Sequence, residues 1–116
     1  MKVLFHIDEL NKWDMTVANV KNMINFSREN EEKVEIEVVA NGEAVLIFKG
    51  NDEANSKYSV EFEKLVKDGV KIAACNNSLS KLYISKDEIF DFIEVVPAGV
   101  VEIVKKQEKG YVYIKP

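Results

Sequence analysis

Apolar residues recur along the chain in two rhythms, short runs of β-formers and longer stretches at helical spacing. Residues 2–8 (KVLFHID) form the first run and predict a strand. Asp14 or Thr16 can then cap a helix with Val17, Val20, Met23, Ile24 and Ser27 on one face. Its wet face carries Asn19, Lys21, Asn22 and Asn25. Residues 34–40 (VEIEVVA) alternate at first and then run continuously apolar, a second strand. Ser56 can cap the next helix, which turns Tyr58, Phe62, Leu65 and Val66 inward, and Gly69 stops it. Residues 70–75 (VKIAAC) are the third strand.

Ser85 and Glu88 have the spacing of a capping box and start a short turn through Phe90. A fourth strand covers 93–96 and is closed by Pro97. The pattern over 98–109 predicts a helix with Val100, Val101, Val104 and Ile103 inward and Lys105, Lys106 and Lys109 near its C-terminus, where the helix dipole favours cations. Gly110 ends it, and 111–115 form a fifth strand. One segment stays open. Asn41-Gly42 followed by 43–48 (EAVLIF) reads either as a hairpin turn or as a loop entering a short helix. Strand–helix alternation of this kind means βαβ units and a largely parallel sheet covered on both faces.

Composition narrows the function classes. A chain of 116 residues, 47% hydrophobic and 31% charged, fits one soluble domain spanning 1–116 with a single core. A net charge of −4 and no cluster of Lys or Arg argue against nucleic acid and against anionic membranes as partners. No apolar run approaches the roughly 20 residues of a membrane span. The first residues turn polar too soon for a signal peptide. A single cysteine makes no internal disulfide, so the expected compartment is the reducing cytoplasm. One Cys and one His fall short of a zinc site. There is no phosphate-binding glycine motif and no nucleophile elbow, so no cofactor and no metal are expected.

The candidate chemistry gathers at strand ends. Cys75 closes an apolar strand and is followed at once by Asn76, Asn77 and Ser78, which read as the caps of a helix. In open α/β sheets, ligands bind in the crevice outside the carboxyl ends of the strands. Backbone N–H groups at a helix start there favour a thiolate and can cradle an anion. The alternative is a small buried hydrophobe, the commonest fate of a free cysteine. His6 and Asp8 share one face of the first strand. His6 can stabilise a thiolate or shuttle a proton, or be satisfied by a neighbouring carbonyl. Asp8 can bind a polar ligand or keep the thiol dormant by its charge. Asn41 and Gly42 at the second strand end, and Gly99 in the fourth crevice loop, leave room for a ligand. Trp13 reads as a lid over the crevice or an anchor in a subunit contact, and Tyr111 and Tyr113 share one face of the last strand.

These residues resemble the DsrE/DsrF-like family. The matching stretches are 5–9 (FHIDE), 38–42 (VVANG), 69–79 (GVKIAACNNSL), 95–100 (VVPAGV) and 110–116 (GYVYIKP), in order along nearly the whole chain. Asn76 stands where close members often carry Gly. The resemblance implies a three-layer α/β/α domain of the YchN-like kind with a mostly parallel five-stranded sheet, and assembly into a homotrimer or homohexamer. It favours the short helix over 43–48. It also implies sulfur relay, with Cys75 at the position of the persulfide-carrying cysteine, exchanging sulfur with donor and acceptor proteins. The expectation is therefore a persulfide carrier built on Cys75 and His6, with Asp8, Asn41, Gly42, Asn76, Asn77, Ser78 and Gly99 lining the site. The rivals are a non-catalytic oligomeric module binding a small polar ligand or a protein partner, and a purely structural assembly subunit.

Overall fold

The continuous apolar runs pair into one sheet in the computed structural model, which describes residues 1–116. Its strands are β1 (Lys2–Ile7), β2 (Glu35–Ala40), β3 (Lys71–Cys75), β4 (Glu94–Val96) and β5 (Val112–Ile114), in the order β4-β3-β2-β1-β5. Every neighbouring pair is parallel, with Phe5 beside Val38, Val38 beside Ile72 and Cys75 beside Val96. The helices are α1 (Trp13–Asn30), α2 (Ser56–Lys67), α3 (Asn76–Lys81) and α4 (Gly99–Glu108). Helices on both faces make three layers.

Chain direction decides which face each helix takes. The first four strands step across the sheet in one direction, so their right-handed crossovers all pack on one side. The connection from β4 to β5 runs back to the opposite edge, and the same handedness places α4 on the other face. The cores match this. Val3, Phe5, Ile7, Val38, Ile72 and Ala74 meet α1, α2 and α3 in a cluster of 22 buried residues. Leu4, Val39, Ala73 and Val96 meet only Ile103 of α4, a cluster of five. The second face is thus covered by a single, lightly seated helix.

The structure decides the open segment in favour of the short helix and corrects several other local expectations. Residues 43–48 belong to a 3₁₀ helix, Gly42–Phe48, and no hairpin forms there. It packs inward because the Trp13 indole N–H donates to Ala44 O at 2.9 Å and Asn55 Nδ2 donates to Leu46 O and Lys49 O. Trp13 is 1% exposed and packs against Phe62 with ring centroids 4.9 Å apart, so it is a core residue, neither lid nor subunit anchor. Helix α1 begins at Trp13, ahead of both expected caps, because a 3₁₀ turn at Leu10–Lys12 leads into it. Asn55, not Ser56, occupies the N-cap position of α2, and its side chain makes no capping bond there. The capping box of Ser85 and Glu88 is present. In α4 the helical period holds but the face differs. Gly99 and Ile103 point inward, while Val100, Val101 and Val104 are 63%, 48% and 56% exposed.

Candidate functional site

Cys75 sits where two connections diverge. After β3 the chain turns into α3 on one face, and after the adjacent β4 it turns into α4 on the other. In open α/β sheets, ligands bind outside the carboxyl ends of the strands at such a switch point. The Cys75 residue is 5% exposed, and its thiol lies among donors from both helix starts. Burial pushes the thiol up. The Ser78 hydroxyl, then the backbone N–H groups of Gly99, Ser78 and Asn77, outweigh burial and hold it below the usual thiol range.

Local sequence explains each donor. Cys75 stands at the N-cap position of α3 in extended conformation, which brings the N–H groups of Asn77 and Ser78 near the sulfur without a regular capping bond. Asn76, Asn77 and Ser78 are therefore that first turn rather than its caps. The Ser78 hydroxyl oxygen accepts the Gly42 N–H at 2.8 Å, which leaves its proton for the sulfur. Gly42 reaches this position with φ +56°, a conformation other residues adopt only with strain. Gly99 allows α4 to start against Cys75. A Cβ there would lie 3.3 Å from Asn41 Cβ, 3.4 Å from Cys75 Cβ and 3.5 Å from Val39 Cγ1.

His6 and Asn41 form a second tier. His6 Nε2 donates to Asn41 Oδ1 at 2.9 Å, since a carboxamide oxygen only accepts. That tautomer leaves Nδ1 to accept the Tyr113 hydroxyl at 2.6 Å. Both ring nitrogens are thus engaged with groups other than Cys75, and His6 reaches the thiol only through Asn41, which packs on Gly99. Asp8 stands apart on the rim, exposed, with its carboxylate 2.7 Å from Lys115 Nζ. Lys115 holds the Asp8 carboxyl below its usual range. The fold thus brings Cys75, Ser78, Asn77, Gly99, Gly42, Asn41 and His6 together and leaves Asp8 at the edge. Tyr113 belongs to the cluster too, a residue the sequence places only on a shared face of the last strand with Tyr111. No three of the His, Cys, Asp and Glu side chains converge to hold a metal ion.

A family model describing the DsrE/DsrF-like family matches residues 6–116. The chain belongs to the DsrE/DsrF-like family. This family is associated with sulfur relay. Among solved structures, the chain is similar to the protein of unknown function MTH1491 from Methanobacterium thermoautotrophicum, at 32% identity and TM-score 0.85, over 99% of this chain and 98% of that one. It is similar in fold to BT1422 from Bacteroides thetaiotaomicron, at 15% identity and TM-score 0.74, over 99% and 94% of the two chains. It is likewise similar in fold to the ychN protein from E. coli, at 14% identity and TM-score 0.67, over 99% and 97%. No curated protein sequence matches the chain.

Proposed function

We propose that this DsrE/DsrF-like protein carries sulfane sulfur on Cys75. The observation that carries the reading is the set of donors on that sulfur, which keeps a buried thiol below its ordinary value. A thiolate at Cys75 attacks the outer sulfur of a donor persulfide, R–S–SH. A new S–S bond forms to Cys75, the donor's S–S bond breaks, and the donor leaves as R–S⁻. The product is Cys75–S–SH, with no net oxidation, and the reverse exchange loads an acceptor thiol. Hydrogen bonds from Ser78 and Gly99 offset charge on the sulfur before and after the exchange. His6 acts by holding Asn41 against Gly99.

We also propose that the protein works in the reducing cytoplasm as a homotrimer or homohexamer. The valine stripe on α4 supports the assembly, because one copy leaves it uncovered. Donor and acceptor are protein thiols of the relay.

The 5% exposure of Cys75 favours a second reading, a non-catalytic module whose crevice binds a small polar ligand while the thiol only lines it. Intact-mass measurement after incubation with a persulfide donor separates the two. Transfer gives a gain of about 32 Da, one sulfur atom, that is absent from Cys75→Ser. No gain from wild type would overturn the carrier reading.

A further inference from the structure

The face beneath α4 buries a carboxylate that the thiol chemistry does not use. Glu37 lies in the middle of β2 and is 1% exposed. Lys106 Nζ comes to 3.3 Å and Lys71 Nζ to 3.7 Å of its Oε1, yet neither oxygen has a hydrogen-bond partner. Facing it is Glu102 of α4, itself held by Lys71 Nζ at 3.0 Å. The other charged groups around them are Glu94 of β4, 3.4 Å from Lys71 Nζ, and Glu35 of β2, bonded by the Tyr111 hydroxyl at 3.1 Å. Lys2 and Lys106 lie over the Tyr111 ring.

A buried carboxylate without a donor is costly, and two facing carboxyl groups resolve that by sharing a proton. A proton held by Glu37 would supply the missing donor, its O–H toward the Glu102 carboxylate, with Lys71 and Lys106 offsetting the remaining charge. The bond matters to α4 because, beside the Lys71–Glu102 and Lys106–Glu37 ion pairs, the helix has little else to seat it. Only Gly99 and Ile103 are buried along its length, and its valines face out. Gly99 begins that helix and gives its N–H to the Cys75 sulfur. Whatever seats the later turns of α4 therefore also sets the place of that N–H.

The geometry points to Glu37 as a positioning residue for Cys75: bridged to Glu102 by one proton, it ties α4 to the sheet and keeps the Gly99 N–H on the sulfur. This rests on the reading of Cys75 as a functional thiolate. It also makes the site sensitive to pH near neutrality. Burial first, and then the bond with Glu102, raise the Glu37 carboxyl from 4.5 to about 7, against the pull of Lys71 and Lys106. A raised carboxyl stabilises the fold fully below its unfolded value and loses that contribution as pH rises through about 7. Helix α4 is accordingly seated best on the acid side of neutrality and loosens above it.

Two measurements on the full chain test this: amide exchange at Gly99, and the titration of Cys75 followed by thiolate absorbance. In Glu37→Ala, Gly99 exchange speeds up about tenfold and the Cys75 pKa rises by about one unit, the weight of one hydrogen bond. Glu37→Gln keeps an N–H donor toward Glu102 and restores both values. A Glu37→Ala protein that matches wild type in both readouts overturns the inference. If Glu37→Ala does not fold, the Gly99 amide shift in Cys75→Ser decides. It must titrate between about pH 6 and 8, and the step must vanish in Cys75→Ser/Glu37→Gln. A flat shift, or a step that survives the glutamine, also overturns it. None of these readouts uses a sulfur donor, so failed persulfide formation and failed coupling remain distinguishable.

Discussion

Ser78 is the residue on which the thiol depends most directly. Its hydroxyl is oriented by the Gly42 N–H and heads the hydrogen bonds that lower Cys75. Ser78→Ala removes a donor to the charged sulfur, so the thiolate becomes less favourable and the pKa rises. The expected rise is about one unit, with a fall of several-fold up to tenfold in iodoacetamide alkylation at neutral pH. Alkylation followed against pH checks it, and an unchanged profile would remove Ser78 from the account. Much of this cluster was legible residue by residue. A cysteine at the end of an apolar strand, followed by three polar residues, can hardly avoid the crevice. The partners of His6 were not legible. Tyr113 reaches it because β5 lies beside β1, and strand order is not written in local pattern.

Helix α4 shows how far periodicity carries an element. The stretch from Gly99 to Glu108 is helical as its spacing requires. Its apolar stripe was assigned to the core on the rule that such a stripe faces inward. The sheet instead receives Gly99 and Ile103, with Glu102 and Lys106 half-buried beside them. Glycine and charged residues do not register as an inner face, so the pattern alone pointed the wrong way. Glu37 was hidden for a similar reason, as a polar position in an alternating strand that turned out buried. The close fit at Gly99 gives a direct test. In Gly99→Ala the new methyl would crowd Asn41 Cβ at 3.3 Å, which must give by a few tenths of an ångström, and would sit in contact with Cys75 and Val39. The expected cost is about 1–2 kcal/mol by chemical denaturation. The Cys75 pKa should rise as well, because the α4 N–H is pushed off the sulfur. A variant with wild-type stability and titration would show that α4 can yield without consequence.

For the whole molecule, the asymmetry of the two faces is the governing fact. One face closes over 22 buried residues, whereas the other has five and leaves Val100, Val101 and Val104 in water. Two valines turned to aspartate should weaken self-association by about a hundredfold or more, from lost apolar burial and added charge. Light scattering checks this on Val100→Asp/Val104→Asp, whose mass should fall to that of one chain while wild type runs as a trimer or hexamer. A wild-type protein that stays monomeric at micromolar concentration would remove the assembly proposal. The parallel sheet and its helices on both faces were readable from near-continuous apolar strands. Which face would be left thin was not, because it follows from the return of the chain to the far edge.

The adjacency of β1 and β5 also bears on how the protein is made. Val3 lies beside Val112 and Phe5 beside Ile114, so β1 takes its second neighbour only once β5 has been made. Until then β1 keeps an unpaired edge, and the imidazole ring of His6 lacks its Tyr113 partner. The outer tier of the site, His6 with its two partners, is therefore completed only after β5 has paired.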